Sequence, residues 1–189
     1  MITPALVTPP AALLSLGEAA LHLRVDASDD ANLITGLIAA AVGWMDGWNG
    51  VLGRCILPQT WVIRTDALQS MRLPFPDVRS AVVSYLDLAG VTQTVDAANY
   101  RVRTINGAGH LTFASDFAAP EVLADRDDAV TISAEYGFAE APQPLKVAAL
   151  MLVGHWYQHR EGGTDDIPAP VKALIAPYGS GWALMFRLA

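Results

Sequence analysis

The sequence predicts an α+β fold: a small helical bundle with an inserted antiparallel β domain and an extended C-terminal tail. Three observations carry this. Apolar residues recur at helical spacing before residue 57, the pattern switches to a period of two between Pro58 and Gly137, and helical signals return after Gly137. Neither helical flank is long enough to bury a core alone, so the two are expected to pack on each other with the β block inserted between them. The expected organisation is residues 1–57 and 138–177 as the two parts of the bundle, 58–137 as the β domain, and 178–189 as a docking tail.

Residues 1–14 contain Pro4, Pro9 and Pro10 and read as an extended arm. Ser15-Leu16-Gly17-Glu18 then matches a capping box, in which the Ser hydroxyl accepts from the Glu18 amide while Glu18 reaches back. A short helix follows to about Leu23. Asp26 to Asp30 forms an acidic break, and Asp29 or Asp30 can cap a second helix and complement its dipole. That helix carries Leu33, Ile34, Leu37, Ile38, Ala41, Val42 and Met45 as one apolar stripe. Trp44 and Trp48, four apart, fall on an adjoining face. They read either as core packing or as a subunit contact, since aromatic residues are enriched at interface cores. Gly50 and Gly53 end the helix.

Thr60 to Arg64 and Val78 to Leu88 are strand-like, and Asp87 to Gly90 reads as a turn into Val91–Val95. Tyr100–Ile105, Asn106-Gly107 and His110–Phe113 form a hairpin whose loop is longer than the tightest type. Val130–Tyr136 is the last strand. Five or six short antiparallel strands make a small sandwich or barrel. Pro142 and Pro144 then open a helix over Leu145–Arg160, ended by Gly162-Gly163, and Pro170–Ala176 reads as one more short helix.

The 189 residues carry a net charge of −7, with twelve basic residues scattered singly. Phosphate neutralisation supplies most nucleic-acid affinity, so no specific DNA grip is expected, whereas an acidic surface suits a channel that DNA passes without being held. Only 16% of residues are charged, against the usual quarter, and part of the surface is therefore expected to be covered by a partner. Cys55 is the single cysteine, so no intrachain disulfide and no cysteine metal cluster can form; it reads as a small core residue. Residues 1–14 lack the pattern of a signal peptide, and no apolar run reaches membrane-spanning length, so a soluble intracellular product without a membrane partner is expected.

Enzyme motifs are absent. The strongest candidate for chemistry is His155 with His159, one helical turn apart and close to Glu161, but Trp156 stands where metallopeptidases carry a Glu, and no third ligand is placed. Packing or hydrogen bonding is the plainer role for both histidines. Asp127-Asp128 and Asp165-Asp166 read as solvated turns, and Asn106-Gly107-Ala108-Gly109, without a Lys, as a hairpin rather than a phosphate loop. No cofactor and no catalytic residue is assigned. The tail is more telling: Tyr178, Trp182, Leu184, Met185, Phe186 and Leu188 follow or flank Gly179 and Gly181. Such a run is costly in water, at about 25 cal/mol per Å² of apolar surface. It either folds back on its own chain or docks into a neighbour, Trp being a typical interface anchor.

Leu16-Gly17-Glu18-Ala19-Ala20-Leu21-His22-Leu23-Arg24-Val25, the acidic Asp26–Asp30 and a long helix over Asn32–Trp48 resemble the opening of phage head–tail connector proteins. Pro74-Phe75-Pro76-Asp77-Val78 resembles that family's proline-flanked link before a Val-rich strand. Val147 to Glu161, with Leu150 to Glu161 as its most similar run, resembles its third helix, with the His/Trp-Tyr-x-x-Arg-Glu ending. The resemblance spans roughly residues 15–177 and is nearest to the adaptors of long-tailed phages and gene transfer agents. It implies a structural, non-enzymatic ring subunit of twelve copies beneath a portal protein, joined on its other face to stopper or tail-completion proteins and lining a DNA channel. Tyr178–Ala189 would be the portal-binding segment, and Trp44, Trp48 and Trp156 candidate subunit contacts. The location implied is a virion or phage-like particle assembled in the bacterial cytoplasm.

Overall fold

The structure, a computed structural model, describes residues 3–159 and 167–180. The chain divides into two compact units, one of Met1–Pro10 with Leu57–Phe138 and the other of Ala11–Ile56 with Ala139–Ala189. The fold is α+β.

The first unit holds eight strands among the described residues: β1 (Ala5–Thr8), β2 (Gln59–Thr65), β3 (Met71–Arg72), β4 (Val78–Leu86), β5 (Thr92–Thr94), β6 (Tyr100–Ile105), β7 (Ala108–Phe113) and β8 (Val130–Tyr136). They form a five-stranded sheet in the order β1-β2-β8-β4-β5 and a three-stranded sheet in the order β3-β7-β6, antiparallel throughout. The alternation in β8 explains its central place. Val130, Ile132, Ala134 and Tyr136 are buried, and Thr131, Ser133 and Glu135 between them are not. In register beside the buried set stand Thr65, Ile63, Trp61 and Gln59 on β2 and Tyr85, Val83, Ala81 and Val78 on β4. Phe75 closes this core, its ring 5.1 Å from Trp61 and 5.2 Å from Tyr136, in the tilted and edge-on geometries that aromatic quadrupoles favour. Tyr100 on β6 ties the two sheets by donating its hydroxyl to the Ala81 carbonyl at 2.9 Å.

Three expectations for this unit are corrected. Residues 1–14 are not simply an arm. Ala5–Thr8 pairs along β2, so the first ten residues run with the β unit rather than with the helices. Between residues 58 and 137 the strands number seven, not five or six, and β1 joins them in two sheets. The Asn106-Gly107 loop is the tightest type after all: Asn106 (φ 50°) and Gly107 (φ 73°) alone join Ile105 to its partner Ala108. Two successive left-handed residues give a turn whose twist matches that of the strands, and Asn-Gly is the pair that adopts it most readily.

The second unit holds α1 (Leu16–Leu23), α2 (Ala31–Met45), α3 (Gln143–Gln158) and α4 (Ala169–Ile175). The capping box before α1 is formed: Glu18 N–H donates to the Ser15 hydroxyl at 3.2 Å, and Ser15 N–H donates to the Glu18 carboxylate at 2.7 Å. Ile34, Ala41, Met45, Leu145, Ala148, Ala149, Leu152, Val153, Val171 and Ile175 are buried as the core, with Ala19 and Ala20 from α1. Small residues there let helices approach closely. At Gly154 an added Cβ would stand 3.4 Å from the His22 ring. Cys55 is fully buried. No described helix is long and apolar enough to cross a membrane.

Helix α2 ends earlier than expected. Asp46 is extended (φ −95°, ψ 151°), and its carboxylate accepts the Ile56 amide at 2.6 Å. Gly47 (φ 74°) donates to the Arg54 carbonyl at 2.9 Å, and Leu52 N–H to the Met45 carbonyl at 3.2 Å. These bonds close residues 46–56 into a compact loop. Gly50 is required in it, since a Cβ there would lie 2.4 Å from the carbonyl oxygens of Met45 and Asp46. Trp48 therefore lies in the loop and not on the helix with Trp44, and Gly50 and Gly53 belong to the loop rather than to the helix end.

Candidate functional site

The candidate contact tryptophans, the histidine pair and Tyr178 lie in the second unit, and the remaining tail candidates fall outside the described residues. Trp44 sits in the last turn of α2, its carbonyl accepting the Val51 amide at 2.8 Å, and is half-buried. Trp48, in the 46–56 loop, and Trp156, near the end of α3, are half-buried as well. Amphipathic rings held part in and part out of the core are suited to a contact with another protein, and equally to the edge of a core.

His155 and His159 come together as their spacing requires. Their ring centroids are 4.6 Å apart, and the Nδ1 of His159 lies 2.8 Å from the His155 carbonyl oxygen. With that nitrogen donating to the carbonyl, only the other ring nitrogen of His159 is open to a ligand. Among the described residues no third histidine, cysteine or carboxylate joins them in a metal-holding group. Glu161, Asp165 and Asp166 lie outside the described residues. The pair's local geometry is that of a helix C-terminus, where a histidine meets the last carbonyl groups.

The neighbouring Tyr157 has a partner that sequence reading missed. Its hydroxyl donates to the carboxylate of Asp30, the residue just before α2. Asp30 occupies the cap position but its carboxylate makes no cap hydrogen bond to the backbone, so the expected capping role is corrected. The carboxylate is turned to α3 instead. A Tyr among the spaced apolar or small positions of one helix and a carboxylate at the start of another are each ordinary features, and only the packing of α2 on α3 relates them.

The start of the tail is tied down. Tyr178 is half-buried, and the Ser180 amide donates to the Leu52 carbonyl at 2.8 Å, on the same 46–56 loop. Trp182, Leu184, Met185, Phe186 and Leu188 lie outside the described residues.

The carboxylates with displaced pKa values stand elsewhere. The Ser15 backbone amide holds Glu18 below its ordinary value, the Ser28 amide does so for Asp26, and the Gln93 side chain for Asp87. Asp128 is lowered by its two-pronged bond to Arg126, at 2.7 and 2.8 Å. All are solvent-facing turn or cap interactions, and Asp128 is thus engaged in structure as the sequence suggested. Their hydrogen-bond partners include no histidine.

Compared with known proteins, no family model and no curated protein matches the sequence. Solved structures do. The fold is similar to a chain in the neck of an empty GTA particle computed with C6 symmetry, at a TM-score of 0.73 and 20% identity, covering 94% of this chain and 95% of that one. It is similar to a chain of the virion of a native gene transfer agent (GTA) particle at a TM-score of 0.74 and 21% identity, with 94% and 95% covered. A chain in the neck of a native GTA particle computed with C12 symmetry gives 0.66 and 22%, with 95% of each covered.

Proposed function

We propose that this chain is a structural subunit of the neck of a phage-like particle: a head–tail connector of the adaptor type, forming a ring beneath a portal protein and lining the path of the DNA. One observation carries the reading. Chains from gene transfer agent necks share the fold over nearly its full length, both units included, at TM-scores of 0.66 to 0.74. The connector-like motifs at 16–30, 74–78 and 150–161 support it independently. The role is mechanical and not enzymatic; the histidine pair has the plainest explanation as a helix end.

In this reading copies of the chain pack side by side, twelve being the number the resemblance implies. The segment from Tyr178, anchored at Ser180, delivers Trp182, Met185 and Phe186 to the portal, and half-buried Trp44, Trp48 and Trp156 serve contacts between copies. Stopper or tail-completion proteins meet the opposite face. The net charge of −7 keeps a passing duplex unheld. The location is a virion or gene transfer agent particle, assembled in the bacterial cytoplasm. A stopper or tail-completion ring is the other position the same fold could fill.

Deleting residues 179–189 tests the docking. A folded protein that no longer joins portal-bearing heads is the expected result, and normal attachment would overturn the tail's role. Negative-stain imaging with and without portal separates adaptor from stopper, because only an adaptor ring binds a bare portal.

A further inference from the structure

Among the described residues the five-stranded sheet of the β unit has two open edges. At one end β1 is exposed along its whole length, and at the other so is β5. The backbone of β5 shows which groups are unpaired. The Val91 carbonyl accepts from Asp87 N–H at 3.0 Å and Val95 N–H donates to Val83 at 2.9 Å, so residues 91, 93 and 95 turn their backbone groups toward β4. Thr92 and Thr94, the alternate residues, turn theirs away, and among the described residues nothing pairs with them.

Open edges are normally blunted by charge, above all by lysine. Neither Ala5–Thr8 nor Val91–Val95 contains a charged residue. Eight large hydrophobic side chains are exposed among the described residues, and four of them flank these edges: Leu6 (46%) and Val7 (60%) on β1, Leu88 (62%) and Val91 (55%) beside β5. Water solvates such a row of amides and carbonyls, and another strand is the group whose own backbone matches it bond for bond, so the occupant considered is a strand.

We propose that the strand belongs to a second copy of this chain, β5 of one copy pairing with β1 of the next so that the sheet runs on from subunit to subunit. Strand direction supports this choice. Every neighbouring pair in the order β1-β2-β8-β4-β5 is antiparallel, so the two edge strands of one sheet point the same way. A cyclic operation that carries the sheet onto its neighbour with strand sense kept brings β5 to β1 as a parallel pair and uses both edges of every copy. A two-fold axis would pair like with like and leave one edge of each copy open. The inference rests on the ring reading above and adds to it, beside the tryptophan contacts, a backbone surface by which copies join.

Cross-linking tests it on the full chain. Cys55 is fully buried and gives little background. With Val7→Cys and Thr92→Cys in one chain, mild oxidation should give a ladder of covalent multimers on a denaturing gel. Each single variant should give none, and a mixture of the two singles only dimers. Dimers from Val7→Cys alone would overturn the proposal in favour of like-with-like pairing. Thr94→Pro supplies a second test. Its N–H faces away from β4, so proline there leaves the fold and its circular dichroism unchanged while blocking the new ladder. Native mass spectrometry should show loss of the multimers that the unaltered chain forms. Rings that persist in Thr94→Pro, or rings of the double-cysteine chain without cross-links, overturn the edge pairing and leave the ring reading standing. A chain that forms no multimer alone or on portal-bearing heads overturns both.

Discussion

The hydroxyl of Tyr157 donates to the carboxylate of Asp30, tying the last turns of α3 to the start of α2 across the helical unit. A hydrogen bond to a charged group contributes about 1.5–3 kcal/mol, less where water competes, and this one is only partly buried. Tyr157→Phe should therefore lower the stability of the helical unit by about 1–2 kcal/mol, measured by urea denaturation. Asp30→Asn, which can still accept a bond from the hydroxyl, should lose less.

Two glycines in one hairpin should respond very differently to alanine. Gly107 has a left-handed backbone (φ 73°) and open space around it, so Gly107→Ala carries only the conformational penalty, about 1 kcal/mol. At Gly109 an added Cβ would stand 2.3 Å from the Phe75 carbonyl oxygen and 3.2 Å from the Leu73 Cβ. The segment just after β3, where the Leu73 amide bonds the Gly109 carbonyl at 2.8 Å, would be forced off. Gly109→Ala should cost about 3 kcal/mol or more. Paired thermal melts of the two variants check the contrast.

The cap of α1 predicts an acid response. Glu18 is held below its ordinary pKa by the Ser15 amide first and the Ser15 hydroxyl second. A carboxylate lowered in the folded state contributes stability that is present above its unfolded pKa and fades as pH falls through the lowered value. The cap's contribution should thus be complete at neutral pH and decline below about pH 4. Glu18→Gln should flatten that part of the stability profile, and Ser15→Ala should cost about 1 kcal/mol at neutral pH. Chemical denaturation as a function of pH measures both.

Purified protein should carry no stoichiometric zinc, and His155→Ala should leave metal content and ring assembly unchanged. Elemental analysis of the two proteins decides this. One bound zinc per chain, lost in the variant, would revive a metal-centred reading of the His155–His159 pair.

Much of the fold was legible because its signals are local. The Ser15–Glu18 box and the period-two run of Val130–Tyr136 each announce their element within a few residues. The missing pieces depend on distant partners. Ala5–Thr8 is four residues between prolines and becomes a strand only because β2, far along the chain, offers it an edge. Met71–Arg72 is a strand only because β7 lies beside it. The early end of α2 was hidden for the same reason, since the Asp46 carboxylate is drawn to the Ile56 amide, a bond that exists only once the loop has closed. At the candidate site, spacing alone brought His155 to His159, whereas the link from Tyr157 to Asp30 needed the tertiary fold. Of the tail residues named as portal contacts only Tyr178 lies among the described ones, and Ser180, two residues on, meets the 46–56 loop through a backbone bond that no side chain announces.

The place of β8 in the sheet bears on how the protein is made. It sits between β2 and β4, yet it is translated after every other strand of the described residues, and the second half of the helical unit follows it from residue 139 onward. On the ribosome, the nascent chain carries β2 and β4 with no strand between them for as long as the intervening residues take to emerge. Neither unit can complete its core until roughly the last third of synthesis. A truncated product ending before Val130 would expose the apolar faces of both strands, so premature termination or slow elongation in that interval should route the protein to chaperones or to aggregates rather than to a partly folded intermediate.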